Sequence, residues 1–450
     1  MIPLISRFAH RAYYRAKGTH VAEYLRGLEE SQWYSPERLR ELQTARLRRF
    51  LLHAGETVLF YRRRFAEAGF DPQRFNGPEQ MERLPVLTKA DIRGAAEELF
   101  SSGCDRSRLI PFASGGSTGE PVTIYRGPDD SDMSDAALRR QYRWYGFDVG
   151  DRLALLWGAL RDEHSTATLW DRLRASMVNQ LFLNAYDLNQ DQMLDYARRM
   201  RRFRPRALKG YVTPLWLLAR YLLDSGIDWV RPGVIVTGAE PLFEAQRDLI
   251  ARAFGCPVRN AYGGRESGHM AAECAEAGRL HLFEDTIYCE ILRDGLPVGP
   301  GGTGELVVTT WQRWEMPLIR YRVEDLVTRA EGSCSCGRGL AVLDRIEGRL
   351  QDVIVTPNGR MLPGEFFTHL LMDQPVERFQ IEQLRADSLI IRVVPGASFS
   401  AAVAVEVERR VRGFVAKEME IKFETVERID PTVTGKHRFV ISHLSAGQRS

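Results

Sequence analysis

Between residues 105 and 260, short apolar segments alternate with amphipathic ones, and few folds accommodate that order. "RLALLWGA" and "QLFLNAY" read as strands, followed by the helix "NQDQMLDYARRMRRF". "ALKGY" leads into the helix "TPLWLLARYLLDSG". "GVIVTGAE" reads as a buried strand, with the helix "LFEAQRDLIARAFG" and the strand "PVRNAYG" behind it. Strands separated by helices return in the same direction, so they pair in parallel. The expected fold class is α/β, with a doubly wound, mostly parallel sheet.

The flanking regions read differently. Residues 1 to about 100 look mostly helical, and 279–347 are strand-rich, with "GELVVTT" and several glycine turns. A boundary falls near "EGRLQD". Beyond it the order is strand, strand, helix, strand: "RFQIEQLRA", "SLIIRVV", "AAVAVEVERRVRGFVAKE", "EIKFETVERI". The expected organisation is a large domain over 1–347, with a strand-rich subdomain, and a small mobile α+β domain over 348–450.

Composition excludes several classes. Formal net charge is only +3, from 62 basic and 59 acidic residues, which does not supply the excess positive charge of a nucleic-acid-binding face. No apolar run approaches the length needed to span a bilayer, and the N-terminus lacks the apolar core of a secretory signal. "RFAHRAYYRAKGTH" is basic and amphipathic, and reads as a plain first helix that could also touch an anionic surface. Six scattered cysteines do not form a secreted disulfide framework, so a reducing cytoplasm is the expected compartment. Nearly all basic residues are arginine; the six lysines are Lys17, Lys89, Lys209, Lys417, Lys422 and Lys436.

Several short stretches have the residue types of a nucleotide site. "SGGSTGEP" (114–121) lies between two apolar flanks. It is not a Walker loop, since Glu120 stands where that motif needs lysine. Strand rather than helix follows it, so it is no dinucleotide fingerprint. Gly115, Gly116 and Gly119 relieve the backbone, and Ser114, Ser117 and Thr118 add hydroxyl donors to an anion-binding concavity. Taken alone, a plain hairpin turn is the better reading. "VTGAEPL" (236–242) and "NAYGGRES" (260–267) end neighbouring strands at the carboxyl edge, where doubly wound sheets bind ligands. "PLIRYRVEDL" (317–326) offers Asp325, "GRLQD" (348–352) sits at the boundary, and "PTVTGKHRF" (431–439) places Lys436 after a glycine.

In this order, the motifs resemble those of the adenylate-forming enzymes, which activate carboxylic acids with ATP. Within them the chain is most similar to the phenylacetate–CoA ligase branch and its relatives in capsular polysaccharide gene sets. "LPVLTKADIR" (84–93) and "GELVVTTWQRWEMPLIRYR" support that branch. The resemblance spans about residues 84–440. It implies that Ser114, Gly115, Gly116, Ser117, Thr118 and Gly119 hold the β- and γ-phosphates. Gly238, Ala239 and Glu240 would line the adenine site, with Tyr262 and Gly263 beside it. Glu266 would bind Mg²⁺, Asp325 the ribose hydroxyls, and Arg349 ribose or phosphate. Lys436 would bridge the carboxylate and the α-phosphate, on a small domain that rotates between adenylation and capture of the acyl group by a thiol. Coenzyme A is the expected thiol. Three departures stand out: Glu120 where lysine is frequent, Glu324 where glycine is common, and Gln351 at the usual hinge.

A second cluster needs only its donor chemistry. Cys274, His281, Cys334 and Cys336 offer three thiolates and one imidazole, a set suited to a closed tetrahedral zinc site. Similar pairs appear in relatives of the branch. His269 is a spare ligand. Cys104, Cys256 and Cys289 read as packing residues. The substrate is read only as a small carboxylic acid. Acyl transfer to an amine, hydroxyl or carrier protein is the competing reading, and a non-catalytic ATP-binding protein is a third.

Overall fold

The computed structural model describes residues 18–95, 97–113, 122–157, 179–185, 188–349, 353–357, 361–363, 367, 371, 374–396, 398–413, 415, 419–430 and 438–444. After helices α1 (Val21–Ser31), α2 (Pro36–Thr57) and α3 (Leu59–Glu67), the short helix α4 (Lys89–Gly94) leads to a two-stranded hairpin of β1 (Ile110–Ala113) and β2 (Thr123–Arg126). Local chemistry explains several starts. Ser35 accepts from the Arg38 amide, and Pro36 occupies the first position of α2. Thr88 and Asp91 exchange hydrogen bonds as a capping box at the start of α4.

Helix α5 (Pro128–Trp144) precedes the alternating region: β3 (Leu153–Trp157), β4 (Gln180–Asn184), α6 (Gln190–Phe203), β5 (Ala207–Tyr211), α7 (Val212–Asp224), β6 (Val234–Gly238), α8 (Glu244–Phe254) and β7 (Val258–Gly264). The strands β4, β3, β5, β6 and β7 pair in parallel in that order. Helices cover both faces, as expected. On one face α6, α7 and α8 bury Met200, Leu215, Leu218, Leu222 and Ile250 against Leu156, Leu208 and Ile235. Each large apolar side chain so buried contributes about 1.5–3 kcal/mol. On the other face Tyr142 of α5 packs against Leu153, Ala207 and Val236.

The strand-rich region is not a separate sheet. β8 (Gly268–Glu273), β9 (Leu280–Leu282), β10 (Tyr288–Arg293), β11 (Leu296–Pro297), β12 (Thr303–Thr309), β13 (Tyr321–Arg329) and β14 (Val342–Arg349) extend the parallel strands into one twelve-stranded mixed sheet, in the order β11-β10-β12-β13-β14-β9-β8-β7-β6-β5-β3-β4. The turn from parallel to antiparallel pairing occurs between β7 and β8. The N-terminal helices cover the antiparallel half: Phe50, Leu51, Tyr61 and Phe65 join Leu306, Val308 and Trp311 in one core.

Residues from 353 onward build their own core. A hairpin of β15 (Val353–Val355) and β16 (Met361–Pro363) accompanies a four-stranded sheet ordered β19-β18-β17-β20, made of β17 (Val376–Arg385), β18 (Ser388–Pro395), β19 (Glu420–Thr425) and β20 (Val440–Ser442). Helix α9 (Ala401–Arg412) buries Val407 and Val411 against Ile381, Ile391 and Val393. Among the described residues, no helix is long and apolar enough to cross a membrane.

Candidate active site

The carboxyl ends of β6 and β7 lie side by side. Strand β6 is buried throughout and stops at Gly238, where a Cβ would press to 3.3 Å from the Ala261 carbonyl. Ala239 then takes a left-handed backbone, φ 68°. That is a costly geometry for a residue with a Cβ, and such positions concentrate at functional sites. Glu240 Oε2 accepts the Thr213 amide at 2.7 Å, tying this loop to the start of α7.

Strand β7 delivers Tyr262, which is buried, and its hydroxyl donates to Asp325 Oδ2 at 2.6 Å. Gly263 has no alternative, because any Cβ would collide with the Gly268 carbonyl across the ladder. Glu266 occupies the turn between β7 and β8. Arg126 donates to the Arg265 carbonyl at 2.7 Å and stacks 4.6 Å from the Phe112 ring centroid. It thereby ties both strands of the β1–β2 hairpin, which flank residues 114–121, to the turn that holds Glu266. Asp130 steadies this corner, accepting from Arg313 at 2.8 and 3.0 Å.

Asp325 reaches Tyr262 through an irregularity in β13. Glu305 pairs with Leu326 but Val307 with Arg322, so β13 inserts extra residues between two partners on β12. Such bulges re-aim side chains. Glu324, immediately before Asp325, has φ 69°. Its carboxylate pairs with Lys89 Nζ at 2.5 Å. The segment before α4 is pinned to the same strand: Leu87 donates to the Arg320 carbonyl and accepts from the Arg322 amide. Across the ladder from Asp325 stands Arg349, next to Gly348 at φ 106°.

The structure therefore brings together Gly238, Ala239, Glu240, Tyr262, Gly263, Glu266 and Asp325, with the Arg349 backbone beside them. Ser114, Gly115, Gly116, Ser117, Thr118, Gly119 and Lys436, and the Arg349 side chain, lie outside the described residues. Sequence reasoning missed Arg126 and the Lys89–Glu324 pair. The only signals were the scarcity of lysine and the unexpected glutamate at 324.

The cysteine set also converges. Ligand atoms of Cys274, His281, Cys334 and Cys336 all lie within 4.8 Å of one another. His281 Nε2 is 3.3 Å from the Cys336 sulfur, while Nδ1 faces the Leu340 carbonyl at 3.3 Å. A carbonyl at Nδ1 orients the ring for ligation through Nε2. Burial pushes the imidazole pKa down to about 4, which keeps it neutral as a ligand must be. Zinc–sulfur and zinc–nitrogen bonds of ~2.3 and ~2.0 Å fit inside such a cage. His269 is not part of it. Burial raises the Cys256 thiol to about 12 and pushes Cys289 well up, as suits packing residues.

With this geometry in view, the relatives are informative. A family profile described as CapK C-terminal domain matches residues 354–443. Over 412 residues the chain is 24% identical to Protein CapK of Staphylococcus aureus, covering 90% of this chain and 89% of that protein. Over 387 residues it is 29% identical to the phenylacetate-coenzyme A ligase of Escherichia coli (strain K12), covering 81% and 84%. The chain is a homologue of CapK and of the phenylacetate–coenzyme A ligases. A solved structure of 2-hydroxyisobutyryl-CoA ligase in the postadenylation state, in complex with 2-HIB-AMP, superposes with a TM-score of 0.73 at 22% identity, covering 91% of this chain and 90% of that one. An open conformation of the same ligase, with 2-HIB-AMP and CoA, gives a TM-score of 0.59. The α/β fold with its small C-terminal α+β domain is thus that of adenylate-forming ligases.

Proposed function

We propose that the chain is an adenylate-forming ligase that activates a carboxylic acid with ATP and passes the acyl group to the thiol of coenzyme A. The observation that carries this reading is the Tyr262–Asp325 hydrogen bond at the edge where Gly238–Glu240 and Glu266 also arrive. An aromatic ring beside the loop that leaves β6 suits adenine. A carboxylate at its rim suits paired ribose hydroxyls. The homology to phenylacetate–coenzyme A ligases supports the same assignment.

In the first step a carboxylate oxygen of the acid attacks the α-phosphorus, the bond to the bridging oxygen breaks, and pyrophosphate leaves. Residues Ser114–Gly119 would hold the outgoing phosphates through backbone amides and hydroxyls. Mg²⁺, held by Glu266, would neutralise their charge. Lys436 would stand between the two anions that must approach each other, and Arg349 would hold ribose or phosphate. In the second step the thiolate sulfur attacks the acyl carbon and AMP departs. Residues 348–450 would form the domain that moves between these steps. Phe439, three residues after Lys436, meets Phe243 with ring centroids 6.5 Å apart, which supports an approach of this segment to the β6 loop.

Cys274, His281, Cys334 and Cys336 would hold a structural zinc ion, with all four positions filled by protein and none open to substrate. Thiols kept reduced for a metal fit a cytoplasmic setting.

The test is product analysis. With ATP, Mg²⁺ and a panel of acids, the protein should release pyrophosphate, and with coenzyme A present it should yield an acyl thioester and AMP. Acyl-adenylate that accumulates unchanged in the presence of coenzyme A would redirect the second step to another acceptor. No pyrophosphate with any acid would remove the enzymatic reading.

A further inference from the structure

Strand β5 holds a lysine where its neighbours are apolar. In the sheet, Lys209 pairs with Leu155 on one side and Val236 on the other. All three point to the face covered by α5. The chain runs from β3 outward to β4, then returns to β5 and continues the other way. The crevice beyond β3 and β5 is therefore the switch point where such sheets take ligands.

The setting of Lys209 is unusual. Its ammonium lies 5.6 Å from the Trp157 ring centroid and 5.8 Å from that of Tyr142. Those distances are at the outer limit of a useful cation–π contact. Trp157 packs in turn on Tyr211, with centroids 4.1 Å apart. Among the described residues no carboxylate pairs with Lys209, whereas Lys89 and Lys422 pair with Glu324 and Glu424. Burial lowers its pKa to about 8. Yet the side chain is not sealed, and Leu155, Trp157 and His269 around it also keep partial exposure. The charge of Lys209 reaches His269, which burial, Lys209 and Arg126 together hold down near 3. The neutral His269 and the aromatic rings cannot neutralise an ammonium. Among the described residues this partly buried ammonium meets no counter-charge, and an anionic or hydroxyl ligand would supply a partner.

We propose that Lys209 receives a second oxygen group of the acid substrate, carboxylate or hydroxyl, so that this chain selects oxygen-functionalised acids over their hydrocarbon parents. This rests on the adenylation reading for the substrate's identity, and on the geometry alone for the binding group. The reactive carboxylate would point toward Glu266 and the nucleotide, and the second oxygen toward β5.

Matched acids decide it. Phenylacetate is compared with 4-hydroxyphenylacetate and 4-carboxyphenylacetate, and butyrate with 3-hydroxybutyrate and succinate. Each is titrated calorimetrically into the full chain and assayed by acid-dependent pyrophosphate exchange. In at least one series an oxygen-bearing member should exceed its parent by roughly 100-fold in affinity and kcat/KM, the discrimination that a hydrogen bond to a charged group supplies. Lys209→Met should cut that ratio below roughly five-fold, by losing the oxygen-bearing acid rather than the parent. Lys209→Arg, with the charge kept, should retain roughly ten-fold or more. Preference for the hydrocarbon parents, no binding by any member, or an unchanged ratio in a folded Lys209→Met protein overturns the proposal. If Lys209→Met does not fold, the wild-type ratio and Lys209→Arg decide. Selective binding without exchange would refute adenylation but leave Lys209 as the recognition group. Exchange without selectivity would do the reverse.

Discussion

Glu324 shows how a single residue can be explained only by a distant one. A left-handed backbone costs a residue with a Cβ about 1–2 kcal/mol, and glycine would avoid that. Here the carboxylate instead meets Lys89, whose side chain is only 10% exposed. Removing one partner of a mostly buried pair leaves the other charge uncompensated, at about 1–3 kcal/mol. The single change Glu324→Gly should therefore lower the Tm, despite the relaxed backbone. The double change Lys89→Met with Glu324→Gly should restore it to wild type or above, as thermal unfolding of the three variants would show. A Glu324→Gly protein more stable than wild type would contradict the pairing. Glu324 is visible in the sequence as a departure from the resembling family. Its partner, 235 positions away, is not, because nothing local to either residue specifies a long-range pair.

At the scale of elements, period and punctuation were enough for the parallel half. Apolar runs such as Val234–Gly238, separated by amphipathic helices such as Gln190–Phe203, leave few arrangements. The merger of the strand-rich region into the same sheet was not legible. It depends on the tight β7–β8 hairpin, which turns the sheet antiparallel, and on the β14–β9 register, which joins segments far apart without a sequence signature. The cysteine cluster was legible because metal chemistry restricts donors more sharply than packing restricts apolar residues. It spans the segment after β8 and the loop before β14, so a bound zinc would staple both. Protein purified without chelator should contain close to one zinc per chain. Stripping it should lower the Tm, by about 4 kcal/mol in stability where zinc exceeds its Kd a thousandfold. Cys334→Ser should reproduce the loss with little change in nucleotide affinity. Zinc near zero in the native protein would refute the site.

At the scale of the whole molecule, the proposed function joins a sheet edge that would hold nucleotide to a smaller unit that would bring a cation. Of the motifs read at this edge, those of β6 and β7 end side by side, and Tyr262 donates to Asp325. What the motifs could not convey was the support behind them: Arg126 linking the hairpin to the Glu266 turn, the bulge under Asp325, and Lys209 paired between Leu155 and Val236 in the sheet. Those depend on register and packing rather than on local residue type. The proposed chemistry stands on carboxylate attack at the α-phosphorus of ATP with Lys436 between the two anions. Acid-dependent pyrophosphate exchange, measured for wild type and Lys436→Ala beside thiol capture from supplied acyl-adenylate, tests it most directly. Exchange should fall ~100-fold or more in the variant, while ATP binding holds and thiol capture suffers far less. Exchange at the wild-type rate in Lys436→Ala would contradict the account.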